Sequence, residues 1–407
     1  MHVVFIEPRF PGNQKDFVRG LSEAGADVTA IGEAPREALG AELESWLVHY
    51  EQVGSVCDEA EVGRVVERIH AIRPVERLEA TVEAHILPTA RVREHLGIPG
   101  TSVRTAFLCR DKPAMKEALR EAGVATARSL GSGDEAELVD FARDIGYPVI
   151  VKPRAAAGAS GTYRVESEEE LVELLARLGV GRGGEVAIEE LVTGHEAFYD
   201  TLTIGGQVVH DFVTHYYPNV LEAMRTRWIS PQFITTNRVD SAEAYGEVRE
   251  LGRKVIETLG IDTSATHMEW FFGERGLLFS EIGCRPPGVR AWDLYAAAND
   301  FDIYREWAMC VLHRRVSQSL SRRYSAGIVT LRPEADGRIA GYDGLDEIED
   351  RFGEWIIDVH IPPPGTPTQP VEAGYMANAW MRFRHRDYDE LRRILDTVGE
   401  TVRVRVS

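Results

Sequence analysis

The feature that most constrains this sequence is a pair of apolar runs, each of which carries one acidic residue. The runs ATHMEWFF and LLFSEIG are separated by residues 273–276 (Gly-Glu-Arg-Gly), which predicts a β-hairpin. Loop lengths of three or five residues place Glu269 directly opposite Glu281, with Cβ atoms about 4.5–5.5 Å apart. Two facing carboxylates repel each other, and a hard cation such as Mg²⁺ removes that repulsion. We interpret the two glutamates as a metal pair; two solvated acids on an edge hairpin are the alternative.

The rest of the chain alternates between strand and helix patterns. A strand (VVFI), a Pro/Gly loop, a helix near residues 14–24 and a second strand open the sequence and predict a parallel sheet. The loop EPRFPGN is not GxGxxG, so the dinucleotide fingerprint is absent. Capping residues predict helix starts at Asp111, Asp134, Ser167 and Asp240, and helical material continues over residues 292–311. We predict three units: a Rossmann-like domain (1–105), a two-lobed core (106–316, with one lobe at about 120–190) and a small α+β domain (317–407) after the linker SQSLSRRYS.

Composition limits the class of partner. The chain has 46 Lys and Arg against 65 Asp and Glu, a net charge of −19, which disfavours nucleic acid and anionic membranes. No apolar run approaches the ~18 residues of a membrane span, and the N-terminus lacks a signal-peptide pattern. The four cysteines are widely spaced without a CxxC pair, so neither a disulfide framework nor a zinc site is indicated. We expect a cytoplasmic protein.

Three further segments suggest anion or nucleotide binding. Lys152 ends an apolar strand and precedes the small-residue loop AAAGASGT, whose backbone N–H groups can approach an anion closely. The segment IEELVTGHE (188–196) leads from a strand into a loop, where backbone groups can meet an adenine edge and Glu196 can meet ribose hydroxyls. Arg285 follows Glu281 by four residues and can neutralise a phosphate. Each segment alone has an ordinary alternative: a solvated lysine, an acidic strand end and a simple ion-pair partner.

In their order and spacing, these motifs resemble the ATP-grasp superfamily. The match runs from about Arg110 to Arg290 and includes DKPAMKEALREAGV, YPVIVKP with its loop, IEELVTGHE and EIGCR. Glu269 and Glu281 stand twelve residues apart, as the family's Mg²⁺ ligands commonly do. The resemblance implies a pre-ATP-grasp domain, an ATP-grasp core and a C-terminal α+β domain. It also implies ATP and Mg²⁺, as one ion or two, with Mn²⁺ as a substitute.

The resemblance assigns roles to individual residues. The implied nucleotide-binding residues are Lys112, Lys152, Ala157, Gly158, Ser160, Gly161, Glu189, Glu190, Val192 and Glu196. Glu269 and Glu281 would ligate Mg²⁺, while Lys152 and Arg285 would act on the transferring phosphoryl group.

The chain departs from the family in two places. Gly283 stands where members often have Asn, which implies a second metal site that is weaker or completed by water, and the lid loop has only Gly158 and Gly161.

The resemblance also narrows the reaction. From Arg285 onwards the chain reads RPPGVRAWDLY, without the glutamine and glutamate of the RIQVEH-like run of biotin carboxylases. The E-x-G-x-R-x-x-G pattern is more similar to amino-acid and dipeptide ligases, in which a carboxylate becomes an acyl phosphate and an amine attacks it, with release of ADP and phosphate. The alternatives are a biotin-carboxylase-like subunit, an acid–thiol ligase and an ATP-binding module without catalysis. Related enzymes are often homodimers, although no sequence feature locates an interface.

Substrate contacts are expected near the same residues. The stretch 215–228 (HYYPNVLEAMRTRW) is rich in aromatic and basic side chains, and it lies where such ligases often place a substrate loop. The candidate substrate residues are Arg285, Arg290, Trp292, His215 and His267. For each of them, a packing or surface role is the alternative interpretation.

Overall fold

The computed structural model of the protein describes residues 1–153 and 161–407. Its N-terminal unit is a four-stranded parallel sheet of order β3-β2-β1-β4 with helices around it, as the opening pattern predicts. The strands are β1 (His2–Ile6), β2 (Asp27–Gly32), β3 (Leu47–Gln52) and β4 (Arg77–Glu79), and the helices are α1 (Gln14–Glu23), α2 (Ala41–Ser45), α3 (Glu59–Ile72), α4 (Glu83–Leu96) and α5 (Val103–Leu108). All of β1 is buried, which is typical of a central parallel strand.

The second unit is a small lobe built on an antiparallel sheet of order β5-β8-β6-β7. Its strands are β5 (Ser129–Ser132), β6 (Val149–Pro153), β7 (Tyr163–Val165) and β8 (Val186–Glu190), with helices α6 (Lys112–Glu121), α7 (Glu135–Ile145) and α8 (Glu168–Arg177). The predicted caps Asp111, Asp134 and Ser167 are confirmed, because each side chain accepts a hydrogen bond from the N–H three residues later.

An eight-stranded sheet of order β13-β12-β9-β10-β11-β14-β17-β16 forms the centre of the molecule. Its strands are β9 (His195–Ile204), β10 (Gln207–Tyr217), β11 (Gln232–Thr235), β12 (Ser264–Gly273), β13 (Gly276–Gly283), β14 (Ser325–Leu331), β16 (Ile356–His360) and β17 (Ala379–His385). The other elements are β15 (Ile339–Asp343) paired with β18 (Arg403–Val406), and helices α9 (Val220–Ala223), α10 (Ala244–Leu259), α11 (Ala291–Asn299), α12 (Ile303–His313), α13 (Leu345–Phe352) and α14 (Tyr388–Thr401). Because β11 pairs with β14, this sheet continues across the predicted boundary at residue 317.

The two faces of the central sheet have different neighbours. Phe198, Phe212 and Phe233 point towards α11, α12 and the N-terminal domain, in one large core cluster. The alternate residues Tyr199 and Trp270 point to the other face, in a cluster that includes α6 and α10. Among the helices of the described ranges, none is long and apolar enough to cross a membrane.

One predicted helix start is wrong, and one predicted helical stretch is divided in two. Asp240 does not cap α10, which begins at Ala244 without a side-chain cap; its carboxylate instead pairs with Arg249 and Arg322. The predicted helical stretch 292–311 is two helices, because Asp300 adopts a left-handed φ of 53° that ends α11. A capping-box pattern alone does not show that the acidic residue forms ion pairs with arginines elsewhere in the chain instead of capping the helix.

Asp211 joins three parts of the chain. It lies on β10, is 7% exposed, and its carboxylate accepts hydrogen bonds from Arg249 (2.6 Å), Arg322 and the Tyr199 hydroxyl (3.2 Å). Burial raises the pKa of Asp211, but the two guanidinium groups hold it below its ordinary value. Arg322 belongs to the predicted linker, so this part of the linker is anchored to the sheet.

We expect Asp211→Asn to lower the free energy of unfolding by ~3–5 kcal/mol, since two arginines lose their buried counter-charge. Because the native pKa of Asp211 is depressed, its stabilisation is complete above roughly pH 4 and is lost as pH falls through the native pKa. Urea denaturation from pH 3 to 7 measures both effects. Asp262→Asn is the control, since that carboxylate is 61% exposed; equal losses in both variants would contradict the prediction.

Candidate active site

The hairpin of β12 and β13 brings the two predicted metal ligands face to face. Glu269 pairs directly with Glu281 in the strand register, so the predicted alignment is confirmed. The predicted loop length is wrong, because the turn has two residues and by itself would align Glu269 with Ser280. A β-bulge between Glu269 and Trp270 shifts the register by one residue and restores the facing carboxylates.

Three lysines pair with carboxylates on β13 and on the neighbouring strand β8 of the small lobe. The Lys112 ammonium lies 2.8 Å from a Glu281 oxygen, and Lys152 and Lys116 lie 3.1 and 2.9 Å from the two oxygens of Glu189. Lys116 is 2% exposed and was missed in the sequence. Its spacing of four residues from Lys112 is the signal that could have identified it, because residues i and i+4 share one face of a helix.

Burial and opposite charge compete at each of these groups. Burial raises the pKa of Glu281, but Lys112 and Lys152 lower it to about 2. Burial likewise raises the pKa of Glu189, but its two ammonium neighbours hold it far below the usual range. The pKa of Lys152 is raised because Glu189 and Glu281 outweigh the effect of burial. The site is therefore a network of ionised pairs at neutral pH.

A cavity of about 600 Å³ opens beside this network, within the range usual for small-molecule sites. Its wall includes Lys116, Lys152, Glu189, Glu190, Val192, Glu196, Glu269 and Glu281, with apolar contributions from Ile150, Phe271 and Phe279. Thr162 and residues of the segment 219–226 close another side, and Arg225 donates to the Thr162 carbonyl (3.1 Å). Part of the predicted substrate loop is thus at the cavity.

Glu196 differs from the other carboxyl groups at the cavity. It accepts a hydrogen bond from the Val220 N–H (2.7 Å), and its own N–H donates to the Asn219 side chain (3.0 Å). Burial, together with the charge of Glu269, raises the pKa of Glu196 to about 8. Around neutral pH this carboxyl group is largely protonated and can both donate and accept hydrogen bonds.

The predicted lid lies mostly outside the described residues. Ala157, Gly158 and Ser160 all fall in the undescribed range, so their assignment to the triphosphate stays a prediction. Gly161 is described and has a left-handed φ of 76°. Lys112 is not part of the cavity wall but reaches the site through Glu281.

The candidate substrate residues are placed in different environments. His215 lies on the face of β10 opposite to Glu269, where its ring bonds to His195 and Tyr245 (2.8 Å each). Trp292 is 3% exposed and packs on Phe17, with ring centroids 5.0 Å apart. Both residues lie in packed surroundings, and their predicted substrate roles stay predictions.

The other three candidates are held by carboxylates. His267 shares the face of Glu269 and bonds to Asp200 (2.7 Å); burial lowers its pKa, but Asp200 and Glu269 raise it to about 9. Arg290 pairs with Asp293 at 2.7 Å. Arg285 donates to Glu83 at the start of α4 (2.5 Å), which connects the site to the N-terminal domain. Their predicted substrate roles stay predictions.

The donor set fits Mg²⁺ bound together with a phosphate ligand. In the described part of the chain, no group of three or more His, Cys, Asp or Glu side chains is arranged to hold a metal ion. Glu269 and Glu281 supply oxygen ligands only, and Mg²⁺ commonly takes one or two carboxylates and completes its octahedron with phosphate oxygens and water. The lysines beside them are the counter-charges that such phosphates need.

Sequence comparison supports this interpretation. Residues 111–195 match the family model "Carbamoyl-phosphate synthase L chain, ATP binding domain". An L-arginine-specific L-amino acid ligase from Bacillus subtilis is 26% identical over 249 residues, which are 60% of this chain and 59% of the relative. An alanine–anticapsin ligase from the same organism is 25% identical over 52% of this chain and 48% of its own. The matches thus span about half to three fifths of these curated relatives.

Comparison of structures covers the whole chain. An L-amino acid ligase from Bacillus licheniformis superimposes with a TM-score of 0.79 at 18% identity, over 100% of this chain and 98% of that one. An N5-carboxyaminoimidazole ribonucleotide synthetase from Thermotoga maritima gives 0.69 at 17% identity, over 100% and 99%. The chain has the ATP-grasp fold. The predicted resemblance is thereby confirmed, and the site described above lies in the cleft of this ATP-grasp core.

The Lys116–Glu189 ion pair predicts that the adjacent residues Glu189 and Glu190 contribute differently to the free energy of unfolding. We expect Glu189→Gln to lower the free energy of unfolding by ~3–5 kcal/mol, because Lys116 is then buried without its counter-charge. Glu190→Gln should cost under ~1 kcal/mol, since its partner Arg275 is 50% exposed. Chemical denaturation of the two variants measures the difference, and a similar loss in both would rule out the proposed importance of the Lys116–Glu189 pair.

Proposed function

We propose that this protein is an ATP-dependent carboxylate–amine ligase. It would activate a carboxylate as an acyl phosphate and join it to an amine, an amino acid or a small amine, with release of ADP and phosphate. The fold and the curated relatives support this reaction class. The relatives are named for different substrates, so experiment has to identify the acid and the amine of this chain.

The arrangement of paired lysines and glutamates carries the proposal. Lys112 and Lys152 neutralise Glu281 and Glu189 at distances of 2.8 and 3.1 Å. A magnesium–triphosphate ligand carries both charges, so its phosphates can take over the lysines and its metal ion can take over Glu269 and Glu281. Lys112, Lys152 and Glu281 then each exchange one partner for another, while Glu189 keeps Lys116, which avoids the cost of an unpaired charge.

Bound Mg²⁺–ATP would supply a transferable phosphoryl group and charge neutralisation on its oxygens. The protein's own residues would position the groups and stabilise charge. Lys152 keeps its proton because its pKa is raised, so it can hold a phosphate throughout the reaction. Glu196, protonated near neutral pH, can hydrogen-bond a hydroxyl group without adding negative charge to the site.

Several finer features belong to the proposal as well. We assign adenine contacts to Glu190 and Val192, a ribose contact to Glu196 and phosphoryl stabilisation to Arg285, as the resemblance implies. A second Mg²⁺, replacement by Mn²⁺, a homodimer and a cytoplasmic location are further parts that each need a direct measurement.

A trapping experiment tests the reaction class. With ATP, Mg²⁺ and hydroxylamine, a panel of amino acids and other carboxylic acids should give ADP and a hydroxamate with the true acid substrate, because hydroxylamine captures an acyl phosphate. AMP instead of ADP would indicate adenylation and overturn the proposal. ATP binding without a product from any acid would favour the module without catalysis.

Three variants of one hairpin test the metal assignment. We expect Glu269→Gln and Glu281→Gln to lower the rate of ADP formation at least about 100-fold, the scale of removing a group that stabilises transition-state charge. Glu274→Gln changes the same residue type in the exposed turn of that hairpin and should keep full activity. Steady-state ADP release measures all three; undiminished turnover in either strand variant would refute the metal pair.

A further inference from the structure

A second cavity lies in the C-terminal part of the molecule. Its volume is about 570 Å³, close to the 600 Å³ of the cavity at the catalytic cleft. Its wall is formed by the segment that leads into β11, the end of β14, the last turn of α14 and the start of β18. Among the described residues, the two cavity walls have no member in common, but they adjoin in the sequence, since Thr226 lines the first and Arg227 the second.

A buried amide oxygen at this second cavity has no hydrogen-bond partner in the described part of the chain. Gln232 lines the cavity and is 5% exposed, and its side-chain nitrogen donates to the Asp396 carboxylate (2.9 Å). Because an ionised carboxylate only accepts hydrogen bonds, this contact fixes the orientation of the amide and leaves its oxygen without a donor. Buried polar atoms are nearly always hydrogen-bonded, so the amide oxygen indicates a ligand that supplies an N–H group.

The second cavity also presents positive charge, and its three arginines differ in their partners. Arg227 pairs with Asp336 (2.7 Å), and Arg332 donates to backbone carbonyls of the segment 219–226. Arg403 donates to two backbone carbonyls, at 3.0 and 3.4 Å, and has no carboxylate partner among the described residues. The positive charge of Arg403 is therefore available to a carboxylate of a ligand.

These groups suit a ligand that carries charges of both signs. The wall contains as many acidic as basic residues: Glu334, Asp396 and Glu400 against Arg227, Arg332 and Arg403. An anion alone would meet the acidic residues and leave the Gln232 oxygen without a donor, and a cation alone would leave Arg403 without a counter-charge. Trp228 also lines the cavity and is 78% exposed, so its indole can pack against an apolar side chain of the ligand.

We propose that this second cavity binds a small zwitterion, the chemistry shared by free amino acids and dipeptides. The ammonium group donates to the Gln232 oxygen, and the carboxylate accepts from Arg403. The site goes beyond the proposed ligase function and does not depend on it. Arg332 connects it to the catalytic cleft, because this side chain lines the second cavity and bonds to the segment 219–226, which closes one side of the first.

Isothermal titration calorimetry without ATP tests the site, with L-phenylalanine and L-alanyl-L-phenylalanine as probes. We expect at least one of the two to bind, and the comparison shows whether the ligand is an amino acid or a dipeptide. The carboxamide and the N-acetyl derivative of that probe each lack one charge, so they should bind at least about tenfold more weakly, the scale of one lost hydrogen bond to a charged group. No binding of either zwitterion, or equal binding of a singly charged derivative, would overturn the inference.

Variants of two wall residues locate the bound zwitterion. Arg403→Gln should raise its Kd at least about tenfold, and Trp228→Ala should raise it as well, without loss of stability, because the indole is exposed. Arg405→Gln is the matched control, since Arg405 lies on the same strand but pairs with Asp343 (3.3 Å) and is not among the described residues of the wall. Its Kd should equal that of the wild type. An unchanged Kd in Arg403→Gln, or an equal rise in Arg405→Gln, would place the binding elsewhere and refute the site.

Discussion

Burial of three lysines next to two carboxylates is the constraint on which the site depends. Lys116 and Lys152 share Glu189, while Lys112 pairs with Glu281. These side chains come from α6, β6, β8 and β13, so the small lobe and the central sheet have to meet in one arrangement for all charges to be paired. An unpaired buried ion is strongly destabilising, whereas a paired one is roughly neutral in free energy. The network therefore contributes mainly to the specificity of the arrangement. A ligand that carries both positive and negative charge can replace the present partners of these lysines and glutamates.

The continuous central sheet explains how distant parts of the chain come together. The glutamate pair lies on β12 and β13 at one edge, and β14, β16 and β17 of the C-terminal domain extend the same sheet to the other edge. Because the register is fixed strand by strand, residues that share a face remain aligned across the whole sheet. Tyr375, which precedes β17, packs against Tyr216 of β10 in this way, although 159 residues separate them in the sequence. A boundary at residue 317 is therefore a boundary in the sequence pattern and not in the sheet.

Sequence patterns predicted the elements whose formation depends on residues that are neighbours in the sequence. The parallel N-terminal sheet, three helix caps and the hairpin follow from periodicity and capping, which need only neighbouring residues. The bulge beside the Glu269–Glu281 pair does not, because its extra residue, Ser280, lies on β13 and its position depends on how β13 pairs with β12. His215 shows the same limit. The aromatic and basic composition of its segment suggests a functional residue, but side chains alternate between faces along β10, and His215 lies on the face opposite to Glu269. Lys116 could have been found by its spacing, whereas its burial on Glu189 depends on a strand 70 residues away.

Gly283 stands where ATP-grasp enzymes often have Asn, and the packing around it explains why a residue without a side chain fits there. A Cβ atom at this position would lie 3.2 Å from Arg285 Cγ and 3.3 Å from a Glu83 oxygen, both closer than ordinary packing allows. The absence of a side chain thus leaves room for the Arg285–Glu83 ion pair, which joins the hairpin to the first residue of α4. A side chain at this position would require Arg285 and Glu83 to shift by a few tenths of an ångström. The chain thus has a contact between the cleft and the N-terminal domain at the position where ATP-grasp enzymes often have an amide. In the proposed function, Glu269 and Glu281 are the metal ligands that the protein supplies.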